Sequence, residues 1–373
     1  MTWATTTRAV RGLWRGAAED GGLQAAVLAP LVALLVALLA GNLLVLAYGE
    51  SPARVFGLML AGTWGNPYGI GQVLFKATPL IFTGLAVALP FRAGLFNIGA
   101  EGQVALGALA TGLVGAALPA GTPWPVALPL CAAAGFAAGA AWGVVPGLLR
   151  ARFGAHEVVT GIMLNFLGLA LVNYLVVACF ALPETVHTAL VAPGARLERL
   201  GAFLPALHGS AVSTAFFWSL CAAIACGWLL FRTGLGYELR ATGLSPRAAQ
   251  AAGIPFGRIA VVAMGLAGGL SGLCATSYVQ GFKYYFEDGM SAGVGFMGLA
   301  VALLGRNHPL GVVLAALLFG TLSQGGLAVN ALVPKEIVDV LQAIVILAAL
   351  ATSQELRRTI GDAVRRGGGG GDA

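Results

Sequence analysis

Residues 125–149 read Pro-Val-Ala-Leu-Pro-Leu-Cys-Ala-Ala-Ala-Gly-Phe-Ala-Ala-Gly-Ala-Ala-Trp-Gly-Val-Val-Pro-Gly-Leu-Leu, with no charged residue among them. A helix crossing a bilayer needs about 20 mostly apolar residues, so the stretch reads as a transmembrane span. Gly135, Gly139, Gly143 and Gly147 recur every four positions and lay a bare stripe along one helix face. Such stripes let helix backbones approach closely in lipid, whereas glycine facing lipid would weaken the helix for no gain. The stripe therefore predicts tight helix packing.

Working outward, nine further stretches qualify: 25–48, 77–91, 104–120, 157–180, 213–231, 259–280, 289–304, 309–328 and 336–353. The second and eighth crossings in chain order, 77–91 and 289–304, are short and have Gly or Pro around them. The composition agrees. The 373 residues are 58% hydrophobic and 10% charged, against about 45–50% apolar and 25% charged in soluble domains. A cytosolic enzyme is excluded, and the fold class expected is an all-α polytopic membrane helix bundle of about ten transmembrane helices. The run GLAVAL occurs at Gly84–Leu89 and again at Gly298–Leu303, but in so restricted an alphabet chance explains it.

The net charge of +6 carries no long Lys/Arg run, so nucleic acid is not an expected partner. On membrane proteins basic residues fix orientation. With the N-terminus inside and ten alternating spans, 15 Lys and Arg fall on the cytoplasmic side and 6 outside. Both termini, segments 1–24 and 354–373, are then cytoplasmic around a transmembrane domain at 25–353, with loop 232–258 inside and loop 181–212 outside. Arg8, Arg11 and Arg15 resemble a signal-peptide n-region, yet the apolar run after them is longer than a signal core, which predicts an uncleaved span. The Gly-rich tail reads as disordered by composition. Cys131, Cys179, Cys221, Cys226 and Cys274 all lie in apolar stretches and read as small hydrophobes.

Several motifs carry nothing. Gly293-Val-Gly-Phe-Met-Gly298 is formally G-x-G-x-x-G, but it leads into an apolar span and position 318 is Leu, so no acidic ribose partner follows. Lys76, Lys283 and Lys335 follow Phe, Phe and Pro, which excludes a P-loop. The four histidines are isolated, so neither a metal site, a cofactor nor a catalytic constellation is expected.

What remains is polar chemistry at membrane depth. Phe91-Arg-Ala-Gly-Leu-Phe-Asn-Ile-Gly-Ala-Glu-Gly-Gln103 separates two spans, with Gly94, Gly99 and Gly102 permitting irregular backbone. Such backbone persists in a membrane only where protein or a water-filled cavity surrounds it. Asn97, Glu101 and Gln103 are candidate pathway groups. Two readings of Glu101 stand: a transport group, or an anion at the N-terminus of the third span. Asn165, deep in the fifth span, joins the candidates, while Glu157 in that span's first turn reads first as a cap. In loop 232–258, Ser245 suits an N-cap, Pro246 the first helical position and Gly253 the position after the helix end. A helix of two turns over 246–252 is too short to stand alone, and its small side chains suggest an element that docks in another protein's groove.

Phe75-Lys-Ala-Thr-Pro-Leu through Gln103, Arg152-Phe-Gly-Ala-His-Glu-Val-Val through Asn165, loop 232–254 and Gly298-Leu-Ala-Val-Ala-Leu-Leu-Gly-Arg-Asn-His-Pro-Leu-Gly311 together resemble the permease subunit of a bacterial ATP-binding-cassette importer of the sugar and nucleoside type. The resemblance is strongest to nucleoside importers that use a basic-membrane-protein-type binding lipoprotein, and it covers roughly 75–345. His156 and His308 stand where the family would place Asn. The resemblance implies a type II-like importer permease in the bacterial inner membrane. Its partners would be a homologous second permease, a cytoplasmic ATPase and an extracytoplasmic binding lipoprotein. Polar groups in a Gly-broken segment at membrane depth lead to the expectation that Asn97, Glu101, Gln103 and Asn165 line or support the route of such an importer, with Phe91 and Phe96 as stacking surfaces for a base. Arg240, Ser245, Pro246, Arg247, Ala249 and Gly253 would serve ATPase coupling. A pentose-type permease is the nearest alternative. A proton-coupled secondary transporter using Glu101 or Glu157 is the rival from another class.

Overall fold

The computed structural model describes residues 35, 39–291, 293–334, 336–337, 339–340, 342–344 and 347. Expected segments 1–24 and 354–373, and most of expected spans 25–48 and 336–353, lie outside the described residues. Gly57–Ala328 form one compact unit, and the residues flanking it form a second, in which Val45 and Val55 are buried.

Described elements in chain order are α1 (Pro52–Thr63), α2 (Pro67–Phe91), α3 (Ala100–Ala117), α4 (Trp124–Phe153), α5 (Glu157–Leu175), α6 (Ala215–Arg232), α7 (Gly234–Leu244), α8 (Pro246–Ala251), α9 (Phe256–Gly272), α10 (Val294–Leu304) and α11 (Pro309–Val329). Wider π-turns extend α5 through Val176–Phe180 and α9 through Thr276–Lys283. Six helices are long and apolar enough to cross a membrane, or up to seven if Leu39–Ala47 and α1 make one broken span. The expectation of ten is met only in part among the described residues. Helix α10 has 11 residues, about 16 Å of rise, which is half a bilayer core. Helix α3 opens on Glu101 and Gln103, which dilute its apolar character.

The short expected span at 77–91 is in fact the 25-residue α2. Asn66 caps it by accepting from the Gly69 N–H at 2.6 Å, with Pro67 in the first turn where its missing N–H costs nothing. Both α2 and the α9 segment are mostly buried and form the centre of the unit.

Two seams hold this centre. The glycine stripe of α4 meets a second one on α9. A Cβ on Gly139 would run into the Gly268 carbonyl, and one on Gly143 into the Met264 carbonyl. Without a hydrophobic driving force between helices in lipid, such backbone contact supplies the packing energy. The other seam joins the two GLAVAL copies. A Cβ on Gly84 would strike Val301, and one on Gly298 would strike Thr83. Whatever its origin, the repeat places a glycine of each helix against a β-branched residue of the other.

Candidate functional site

The break between α2 and α3 is built from reciprocal hydrogen bonds. Asn97 Nδ2 donates to Gln103 Oε1 at 2.9 Å, and Gln103 Nε2 donates back to Asn97 Oδ1 at 3.0 Å. Both amides are fully buried, and the Ser271 hydroxyl of α9 also donates to Gln103 Oε1. Asn165 of α5 clamps the same segment. Its Nδ2 donates to the Ile98 carbonyl at 2.8 Å, and its Oδ1 accepts from the Gly102 N–H at 2.9 Å. An irregular backbone thus finds its partners in side chains, as a low-dielectric interior requires.

Glu101 reaches in the other direction. Its carboxylate accepts from the N–H groups of Gly293 and Gly295, at 2.7 and 2.8 Å, and so caps the N-terminus of α10 rather than that of its own helix. The formal G-x-G-x-x-G run now has a physical reason. Gly293 sits at φ +85°, a conformation that residues with a Cβ resist, and a Cβ on Gly295 would collide with the Glu101 backbone. Glu157, in the first turn of α5, pairs with Arg150 at 3.4 Å. Phe91 and Phe96 meet edge to face, centroids 5.7 Å apart, across the left-handed turn at Gly94.

This break touches loop 232–258 directly. Gly243, near the end of α7, lies so close to the Arg92 carbonyl that a Cβ there would overlap it. Arg92 Nε in turn donates to the Asn307 carbonyl at 3.0 Å, ahead of α11. The guanidiniums of Arg92 and Arg240 both lie over the Phe231 ring, at 5.9 and 5.5 Å, and the His308 ring stacks on it at 5.4 Å. Sequence reasoning passed over Phe231, Asn307 and this use of Arg92, because Arg92 lies 139 positions from Phe231 and 215 from Asn307.

Within the loop, Ser245 Oγ accepts from the Ala248 N–H at 3.3 Å, Pro246 opens α8, and Gly253 takes φ +85°. Arg247 is exposed. Ala249 is placed otherwise than expected: it is 4% exposed and turned into the chain's own body, so it does not sit on an outward docking face. The outward apolar group is Leu244, 89% exposed, which the sequence signalled only as a lone large aliphatic between Gly243 and Ser245.

On the opposite side of the chain order, loop 181–212 is ordered against the end of α9. The Leu197 N–H donates to the Gln280 carbonyl at 2.8 Å, Gln280 Nε2 donates to the Ala195 carbonyl at 3.2 Å, and Arg199 donates to the Phe282 carbonyl at 3.1 Å. The loop's exposed carboxylates are Glu184 and Glu198, and His208 is exposed beside them in the same loop.

Comparison with known proteins decides the family. The family described as a branched-chain amino acid transport system permease component matches residues 69–350. The chain belongs to this permease family. The permease is 36% identical to the guanosine ABC transporter permease protein NupP of Bacillus subtilis, over 91% of its own length and 97% of the relative's. It is 34% identical to the nucleoside ABC transporter permease protein NupB of Lactococcus lactis, over 86% of its length and 89% of the relative's. It is 33% identical to the glucose ABC transporter permease protein TsgB13 of Haloferax volcanii, over 91% of both. No solved structure matches it. The chain is therefore a multi-pass permease subunit of an ABC importer and not itself an enzyme. Membership sets aside the proton-coupled rival.

Proposed function

We propose that this permease imports nucleosides, receiving them from an extracytoplasmic binding lipoprotein and working with a homologous second permease and cytoplasmic ATPases in a bacterial inner membrane. Its similarity to nucleoside permeases over about nine-tenths of the chain carries the reading. In this reading the chain adopts a type II-like arrangement of about ten crossings, with 1–24, 354–373 and loop 232–258 cytoplasmic and loop 181–212 outside. Asn97, Glu101, Gln103 and Asn165 support the route by fixing the break between α2 and α3, and Phe91 and Phe96 flank it.

Coupling then follows from one contact. ATPase closure moves α8, which packs on α7, and Gly243 of α7 bears on the Arg92 carbonyl at the head of the break. A push on Arg240, Ser245, Pro246, Arg247, Ala249 or Gly253 would thereby reach the buried amides through a few rigid contacts. Two packings of the bundle, biased by ATP, would give outward and inward access.

The test is uptake by the complete importer in proteoliposomes. ATP-dependent accumulation of guanosine or uridine, with no accumulation of glucose, is expected. Glucose uptake without nucleoside uptake would favour the reading that the similarity to TsgB13 offers. Orientation is tested by Ser245→Cys in intact cells lacking the native cysteines, where strong labelling by an impermeant reagent would overturn a cytoplasmic loop.

A further inference from the structure

Three aromatic rings gather where α2 meets the π-turn that ends α9. Phe75 and Phe282 have centroids 4.9 Å apart at 50°, and Phe75 meets Tyr278 edge to face at 6.4 Å. All three are partly exposed rather than sealed in the core. Tyr278 and the partly buried Trp218 of α6 both pack against the buried cluster of Phe82, Val104 and Cys274. The Tyr278 hydroxyl makes no hydrogen bond among the described residues, which contrasts with the side-chain amides of Asn97, Gln103 and Asn165, each of which both donates and accepts. The wider winding of the π-turn sets Tyr278 and Phe282, four residues apart, toward the same helix, and such turns recur at functional sites.

The cluster is also tied to the outer loop. Arg199 holds the Phe282 carbonyl and lies over both the Phe282 and Tyr284 rings at 5.9 Å. Ser213 packs against Gly281, so that a Cβ there would collide with its hydroxyl. Movement of loop 181–212 would reach Phe282 through Arg199.

We propose that Phe75, Tyr278 and Phe282 form the surface on which the planar ring of the substrate stacks in the outer half of the permease, with the Tyr278 hydroxyl available to an edge nitrogen or carbonyl of that ring. The inference rests on the nucleoside reading above. Aromatic stacking suits a subunit that passes on varied bases, because every base has a π-face and each stacked ring contributes about 1–3 kcal/mol.

The experiment uses the complete importer in proteoliposomes with radiolabelled guanosine and uridine. Phe282→Leu and Phe75→Leu keep apolar bulk and remove the π-face. Each is expected to raise the half-saturating nucleoside concentration by roughly 5- to 150-fold, more for guanosine than for uridine. ATPase stimulation by unloaded binding lipoprotein should persist. Phe282→Tyr and Phe282→Trp keep a π-face and should stay within about twofold of wild type. Unchanged half-saturation in both leucine variants, or equal loss in Phe282→Leu, Phe282→Tyr and Phe282→Trp, overturns the platform. A wild-type importer that takes up glucose but no nucleoside overturns the nucleoside reading, and this inference with it.

Discussion

Glu101 Oε2 accepts a 2.8 Å hydrogen bond from the Gly295 N–H, so a carboxylate in the first turn of one helix caps the first turn of another. Each half of the contact requires the other. The carboxylate satisfies N–H groups that α10 cannot bond internally, and Gly295 has no side chain where the Glu101 backbone passes. Glu101→Ala leaves the N–H donors of Gly293 and Gly295 without their acceptor, the second of them buried, a loss of about 1–3 kcal/mol. Its thermal unfolding midpoint in detergent should fall clearly below that of wild type. Glu101→Gln retains one acceptor and should fall less. Equal midpoints for wild type and Glu101→Ala would remove the cap from the fold's stability.

The paired amides of Asn97 and Gln103 predict strong non-additivity. Asn97→Ala or Gln103→Leu alone strands a buried partner, at a cost of about 1–3 kcal/mol each. The double variant strands much less and should be destabilised by clearly less than the sum, with a coupling within the 0.5–3 kcal/mol typical of contacting residues. A double-mutant cycle read from unfolding midpoints checks this; additive losses would contradict the pairing.

Leu244 and Ala249 should separate docking from folding. Leu244→Glu places a charge on an exposed tip, so the permease should insert and melt as wild type while losing co-purifying ATPase and uptake. Ala249→Trp overpacks a buried position, for which about 1–3 kcal/mol is typical. It should lower the unfolding midpoint as well as uptake. Wild-type ATPase association in Leu244→Glu would exclude the tip from the docking surface.

His308 predicts a pH dependence of stability. Burial, and then the nearby Arg92 charge, lower its pKa below the ordinary 6.5, and its Nδ1 accepts from the Leu310 N–H at 3.2 Å, which the neutral ring alone can do. The folded chain therefore binds its proton at lower pH than the unfolded chain. Stability from this group is unaffected well above pH 6.5 and is lost as pH falls through 6.5 toward the folded value. His308→Asn keeps an acceptor at the start of α11 and should flatten the decline below the ordinary histidine pKa of 6.5 in denaturation series. An unchanged slope would assign the pH dependence elsewhere.

Apolar runs of 20 residues, a basic asymmetry of 15 to 6 and a stripe of four glycines are local or additive properties, so the sequence alone determined that this chain is a membrane bundle with close helix packing. Ser245, Pro246 and Gly253 likewise act on neighbours within a few residues, and the small helix they bound was legible for that reason. Pairings across distance were not. Nothing near Glu101 announces that its partner is Gly295, and helical periodicity does not say which face of a six-residue helix will turn inward, as Ala249 does. The same limit kept Phe75 apart from Phe282, which lie 207 positions apart in sequence and 4.9 Å apart in space. Buried polar groups must find partners wherever the chain brings them, and only the tertiary structure, by packing helices remote in sequence, decided which partners those are.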